Sequence, residues 1–232
     1  MCGRIVLKAS PGEVAAEFEL AVEPELEPRF NIAPTQPVVA VRAGTDGRRD
    51  CLPLQWGLIP PWSPDPRLGA KMFNARSETV TDKPSFREAF AQRRCLVPVS
   101  GFYEWKKQDN AKLPYYFSSG DHRLLGLAGL WERWEFPGGK VLESCSVLTT
   151  AANQFMRRFH HRMPVILAPA DHARWLATDP GQSEALRELL VPAAEDVLRS
   201  WPVADLVNSS RNDGPQLIEP VHETPPGQLP LF

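Results

Sequence analysis

Cys2 stands between Met1 and Gly3 at the start of the chain. A small second residue lets an aminopeptidase remove the initiator methionine, which would leave Cys2 with a free α-amine beside its thiol. The reference pKa values are about 7.7–8.0 for the amine and about 8.5 for the thiol, so near neutrality each has an appreciable nucleophilic fraction. With an aldehyde, such a 1,2-aminothiol first forms an imine. The thiol then closes onto it, giving a five-membered thiazolidine in place of an easily hydrolysed Schiff base. Gly3 lets the backbone bend and a substrate approach closely. The competing reading makes Cys2 a small apolar residue entering a first strand, and the dipeptide itself does not choose between the two.

The rest of the chain must supply the scaffold. At 232 residues it can bury a large core without disulfide or metal staples. Cys2, Cys51, Cys95 and Cys145 are scattered, with no C-x-x-C pair and no His at zinc-ligand spacing, so neither a metal nor any other cofactor is expected. No apolar run approaches the roughly 20 residues that span a bilayer, and no secretory signal precedes the first strand, so a cytoplasmic protein is expected. Short β-rich stretches occur at 4–8, 38–42, 51–59, 95–105, 115–118, 124–131, 141–150 and 165–168. Ser10, Pro11 and Glu13 make a capping-box start for a helix to about Leu20, and further helices are expected at 85–93, 171–177, 184–190 and 194–201. This mixture is α+β rather than alternating βαβ, with the many short strands curving into a barrel-like sheet. Residues 1–213 read as one domain and 214–232, rich in Pro, Glu and Gln, as an extended tail.

Six segments form an ordered series: Met1-Cys2-Gly3-Arg4, Phe30-Asn31-Ile32-Ala33-Pro34-Thr35, Trp56-Gly57-Leu58-Ile59-Pro60, Asn74-Ala75-Arg76-Ser77-Glu78, Gly101-Phe102-Tyr103-Glu104-Trp105 and His160-His161-Arg162-Met163-Pro164. The series resembles the SOS-response-associated peptidase family of abasic-site-processing proteins, from Cys2 to about Asn208. Ala204 departs from the pattern where Ser is expected, outside the proposed catalytic set. The resemblance implies a barrel-like, mainly antiparallel β core with flanking helices. It also implies covalent capture of an abasic sugar aldehyde by Cys2, which shields the lesion from strand cleavage. The family name adds a peptidase activity that removes Met1, and lyase-type reversal assisted by Glu104 is a further expectation.

The matching residues suit those tasks. Asn74 offers donors and an acceptor without ionising, which fits holding Cys2 in an attacking geometry; otherwise it is a turn or cap residue. Glu104, among Phe102, Tyr103 and Trp105, fits general acid/base work if buried, whereas a strand alternating in and out of water would leave it solvated. His160 is the proposed proton donor to the sugar ring oxygen, chosen over His161 on the family pattern. Because the formal net charge is -2, DNA must be held by local cations. Arg4 and Arg76, each within two residues of a catalytic candidate, and then Arg162, are the expected phosphate contacts. Trp56 and Trp105 are the expected stacking surfaces for unpaired bases. The partner implied by the resemblance is single-stranded DNA containing abasic sites, and a monomer that gathers at the nucleoid on damage is expected. Two other classes remain: an N-terminal-nucleophile glutaminase, since those domains also begin Met-Cys-Gly, and a non-covalent single-strand-binding module.

Overall fold

The computed structural model describes residues 2–44, 47–108, 111–177 and 184–221. Along it run β1 (Ile5–Leu7), α1 (Pro11–Glu17), β2 (Arg29–Ile32), β3 (Pro37–Ala43), β4 (Arg49–Trp56) and β5 (Asn74–Arg76). Next come α2 (Arg87–Gln92), β6 (Arg94–Val99), β7 (Gly101–Gln108), β8 (Ala111–Ser119), β9 (Leu125–Glu135) and β10 (Val141–Ala151). The chain continues through α3 (Gln154–Arg157), β11 (Arg162–Pro164), β12 (Ile166–Leu167), α4 (Pro169–Leu176) and β13 (Leu198–Pro202).

The stretch 95–105 reads as a single strand in the sequence, yet the chain changes sheets in the middle of it. Up to Val99 it belongs to a ring in which β10, β4, β3, β6 and β9 pair in turn and β9 closes back onto β10. From Gly101 it belongs to a second, antiparallel sheet ordered β13-β8-β7-β1-β2. The crossing requires glycine, because a Cβ at Gly101 would lie 2.2 Å from the Phe117 carbonyl oxygen. The expected α+β fold with a barrel-like, mainly antiparallel core is therefore the fold observed, and β4 beside β10 is a parallel pair within the ring.

Alternation divides the second sheet between two cores. Ile5, Leu7, Phe102 and Phe117 pack into the large core shared with the barrel. Val6, Tyr103 and Tyr116 face the other way, into a small cluster covered by Val203 and Val207. At the start of α1 the capping box forms as expected: Ser10 accepts from the Glu13 N–H and the Glu13 carboxylate accepts from the Ser10 N–H.

Two expectations change. Residues 194–201 do not form a helix. Their last part is strand β13, paired from Leu198↔Ser119 to Pro202↔Tyr115, with Trp201 packed edge-on against Tyr116. Here pairing to an open sheet edge outweighs local helix propensity. The segment from 214 is also built into the fold as far as Val221. Pro215–Ile218 form a 3₁₀ turn, Leu217 is fully buried, and the Trp201 indole N–H donates to the Ile218 carbonyl at 2.8 Å. Residues 222–232 of the expected tail lie outside the described residues. Leu217→Ala should therefore lower stability by about 2–5 kcal/mol, as other buried Leu truncations do. Chemical denaturation checks this, and an unchanged midpoint would show that the segment is an uncoupled tail.

Candidate active site

Four distant segments meet at Cys2. Its side chain is fully buried in the large core. Beyond β1, the register with β7 continues through a Tyr103 N–H to Arg4 carbonyl bond of 2.9 Å, so residues 2–4 run alongside Glu104. Glu104 shares the face of Phe102, which points inward, and is only 4% exposed, so the solvated reading of this residue does not hold.

Asn74 opens β5, held parallel to β10 by the pair Val147↔Asn74. Its Nδ2 donates to the Cys2 carbonyl at 2.7 Å. The Asn74 Oδ1 is buried, and among the described residues nothing donates to it. His160 follows α3, and its backbone N–H bonds to the Met156 carbonyl at 2.9 Å. Its Nδ1 lies 3.0 Å from the Arg162 backbone nitrogen and 3.2 Å from the Arg162 carbonyl oxygen. The exposed His161 ring stacks on it at 4.2 Å.

Glu104 lies within electrostatic range of both Cys2 and His160. Burial, and then the negative charge of Glu104, push the Cys2 thiol well above its usual range, so the sulfur is held as S–H. Burial lowers the pKa of the His160 ring, and the Glu104 carboxylate opposes that shift. The site thus holds a protonated thiol, an amide fixed on the Cys2 backbone, a carboxyl group and an imidazole, a set able to shuttle protons around a nucleophile.

The DNA-contact candidates separate. Arg76 is exposed, and two residues along β5 from Asn74 it shares that residue's face, beside the site. Arg4 lies on the opposite face of the second sheet from Glu104. Its Nη1 donates to Asn31 Oδ1 at 2.7 Å and the Val207 carbonyl at 2.6 Å, and its guanidinium sits 5.7 Å from the centre of the Trp105 ring. Trp105 is half-buried, with its Nε1 donating to Asn208 at 2.7 Å.

Arg162 is 8% exposed, with its guanidinium forked onto both Glu78 oxygens at 2.9 and 3.0 Å and bonded to the Thr149 carbonyl. This gives it an internal anchoring position, not an open phosphate contact. Trp56 requires a correction: it is fully buried, with its N–H on the Phe73 carbonyl at 2.9 Å, and has no face for a base. The accessible indole of the same segment is Trp62, 59% exposed after Pro60 and Pro61. Ala204 caps the 3₁₀ turn Asp205–Asn208 without a side-chain bond, where a Ser hydroxyl could accept from the turn.

Residues such as Asn31, Glu78 and Thr149 emerge only with the structure. Asn31 and Glu78 lay inside the motif series, but their side-chain partners are far away in sequence. Among the described residues no three His, Cys, Asp or Glu side chains are placed to hold a metal ion, and no helix is long and apolar enough to cross a membrane.

The family model of the SOS response associated peptidase (SRAP) matches residues 1–210, and the chain belongs to that family. It is 39% identical over 224 residues to the abasic site processing protein YoqW of Bacillus subtilis, covering 94% of this chain and 99% of that protein. To the abasic site processing protein HMCES of Xenopus tropicalis it is 35% identical over 186 residues, 70% of this chain and 55% of that one. Among solved structures, a Bordetella bronchiseptica protein superposes with a TM-score of 0.77 at 28% identity, over 88% of this chain and 100% of that one. A Bacteroides thetaiotaomicron protein reaches 0.85 at 24% identity over 95% of this chain and 100% of that one, a likeness of fold.

NMR titration of the His160 ring should give a midpoint below the ordinary histidine value of about 6.5, leaving the ring neutral at pH 7. A group depressed in the folded state binds fewer protons there than when unfolded. Its contribution to stability is therefore present above the unfolded value and lost as pH falls through the folded one. A midpoint at or above 6.5 would contradict the burial described.

Proposed function

We propose that this protein captures abasic sites in single-stranded DNA by forming a thiazolidine between Cys2 and the sugar aldehyde. The observation that carries the reading is the convergence of Asn74, Glu104 and His160 on an N-terminal Cys. The names of the relatives supply the lesion. Met1 must leave first, because until then the Cys2 nitrogen is an amide and no nucleophile. An aminopeptidase removes it, or the site does so itself, with Glu104 activating water for hydrolysis of the Met1–Cys2 peptide bond.

The chemistry then follows in order. His160 and Glu104 move the proton that opens the sugar ring to its aldehyde. The Cys2 amine adds to the carbonyl carbon, and the carbinolamine loses water to give an imine. The thiol adds its sulfur to the same carbon while its proton ends on nitrogen, so aminothiol and aldehyde give thiazolidine and one water. A thiol held as S–H fits this order, with the amine attacking first. Asn74 fixes the Cys2 carbonyl, and its buried Oδ1 can accept from the new amine. Arg76 binds phosphate beside the lesion, Trp62 and Trp105 offer ring surfaces for flanking bases, and Arg4 contributes positive charge from a fixed position.

The purified protein is mixed with an oligonucleotide carrying one abasic site and boiled in denaturant. A slower band should appear that Cys2→Ala abolishes. If none survives although Met1 is absent, covalent capture is refuted, and hydrolysis of free glutamine then tests the glutaminase class. Arg76→Ala should weaken binding across sequences and lower the salt slope by roughly 0.7, the value for one single-strand phosphate contact. Trp62→Ala should cost about 1–3 kcal/mol of DNA affinity with the fold intact, while Trp56→Ala should act on stability instead. Equal effects of the two on DNA affinity would overturn that assignment.

A further inference from the structure

We infer that Glu78 is a positioning residue that sets which nitrogen of His160 carries the proton. The inference rests on the capture chemistry above only for its kinetic consequence. Glu78 lies in the 3₁₀ turn Ser77–Thr79, directly after the strand that carries Asn74. Its carboxylate, held below the usual range first by the hydrogen bond from Arg162, stays ionised at neutral pH. Both of its oxygens grip the Arg162 guanidinium, whose Nη2 also reaches the Thr149 carbonyl at 2.5 Å. A planar fork held at both ends fixes direction as well as position, which a lysine could not do.

What this anchors is the first residue of a three-residue strand. β11 pairs to β10 through Ala151↔Arg162, Thr150↔Met163 and Thr149↔Pro164, and Arg162 is the end nearest His160. A strand this short has few ladder bonds, so its terminal residue depends on its side chain to stay in register. The Arg162 N–H points at His160 Nδ1, 3.0 Å away. A proton on Nδ1 would meet that N–H head-on, although the Arg162 carbonyl at 3.2 Å is a second neighbour of the same nitrogen. In a neutral imidazole one nitrogen donates and the other accepts. The N–H is the nearer of the two neighbours, so we assign Nδ1 as the acceptor and Nε2 as the nitrogen that carries the exchangeable proton. Glu78 exerts this control without touching His160. It follows directly on β5, which carries Asn74, so one short stretch holds both Cys2 and, through Arg162, the imidazole.

The test combines a spectroscopic and a kinetic readout in full-length protein with Met1 removed. Ring ¹⁵N shifts of His160 should show the Nε2–H form in the parent and a mixture of forms in Glu78→Gln, which keeps the side-chain shape. Single-turnover crosslinking to an abasic oligonucleotide should slow about tenfold in Glu78→Gln, part of what a positioned acid/base group supplies. Affinity for the same oligonucleotide with a stable, aldehyde-free abasic analogue should stay within about twofold. Glu78→Asp, which keeps the charge, should recover part of the rate and covers the case in which the Gln variant folds poorly. Adding Glu78→Gln to His160→Ala should slow the reaction no further, because the two act through one ring. The inference is overturned if the Gln variant keeps the Nε2–H form, or if rate and analogue affinity fall together. Failure of the parent protein to crosslink would sink the capture reading, while the ring shifts would still decide the role of Glu78.

Discussion

The site exists because β10 changes partners partway along its length. Through its first seven residues β9 closes the barrel along one edge, while β4 lies along the other at Ser144 and Cys145. From Val147 the β4 edge passes to β5, and from Thr149 the β9 edge passes to β11. The exchange depends on Gly57, whose backbone at φ +138° turns the chain away after β4 and whose missing Cβ leaves room for the Gly69 carbonyl, 2.4 Å from where that atom would be. A barrel whose strands all kept their partners would have no free edge on which to hang Asn74 and Arg162.

The second sheet supplies the other half. Glu104 belongs to it and Cys2 lies just before its strand β1, and the sheet meets the barrel through one continuous apolar core, so the distance between the halves of the site is a packing distance. Behind that sheet, the C-terminal segment closes over Tyr103 and Tyr116 and gives the Val207 carbonyl to Arg4. Asn31 ties the same segment down, donating to the Ser209 and Asn212 carbonyls at 2.9 and 2.8 Å. Chemistry faces one side of the sheet and its bracing lies on the other.

Much of this was legible in the residues. Alternating and β-branched runs marked most strands, Ser10 and Glu13 marked α1, and the motif series brought Cys2, Asn74, Glu104 and His160 together on one list. The misses have common physical origins. Strands 29–32, 74–76 and 162–164 are three or four residues long and each carries Arg, two of them Asn as well, so no periodicity announces them. Trp56 and Trp62 lie in one Pro-rich stretch, and nothing local in it tells that the first is buried and the second exposed. Arg162 reads as a surface cation until Glu78, 84 residues away, closes on it. The strand at 198–202 and the buried Leu217 depend on contacts that local sequence does not encode.

The clasp of Val207 on Arg4 also sets an order of events during synthesis. The first residues of the chain leave the ribosome long before the parts that enclose them, since Asn74, Glu104, His160 and finally Val207 follow in turn. At about 5–20 residues per second, Cys2 spends on the order of ten to forty seconds outside its finished pocket. Until Val207 has been made its bond to Arg4 cannot form, so the fold around Cys2 is completed only at the end of that interval.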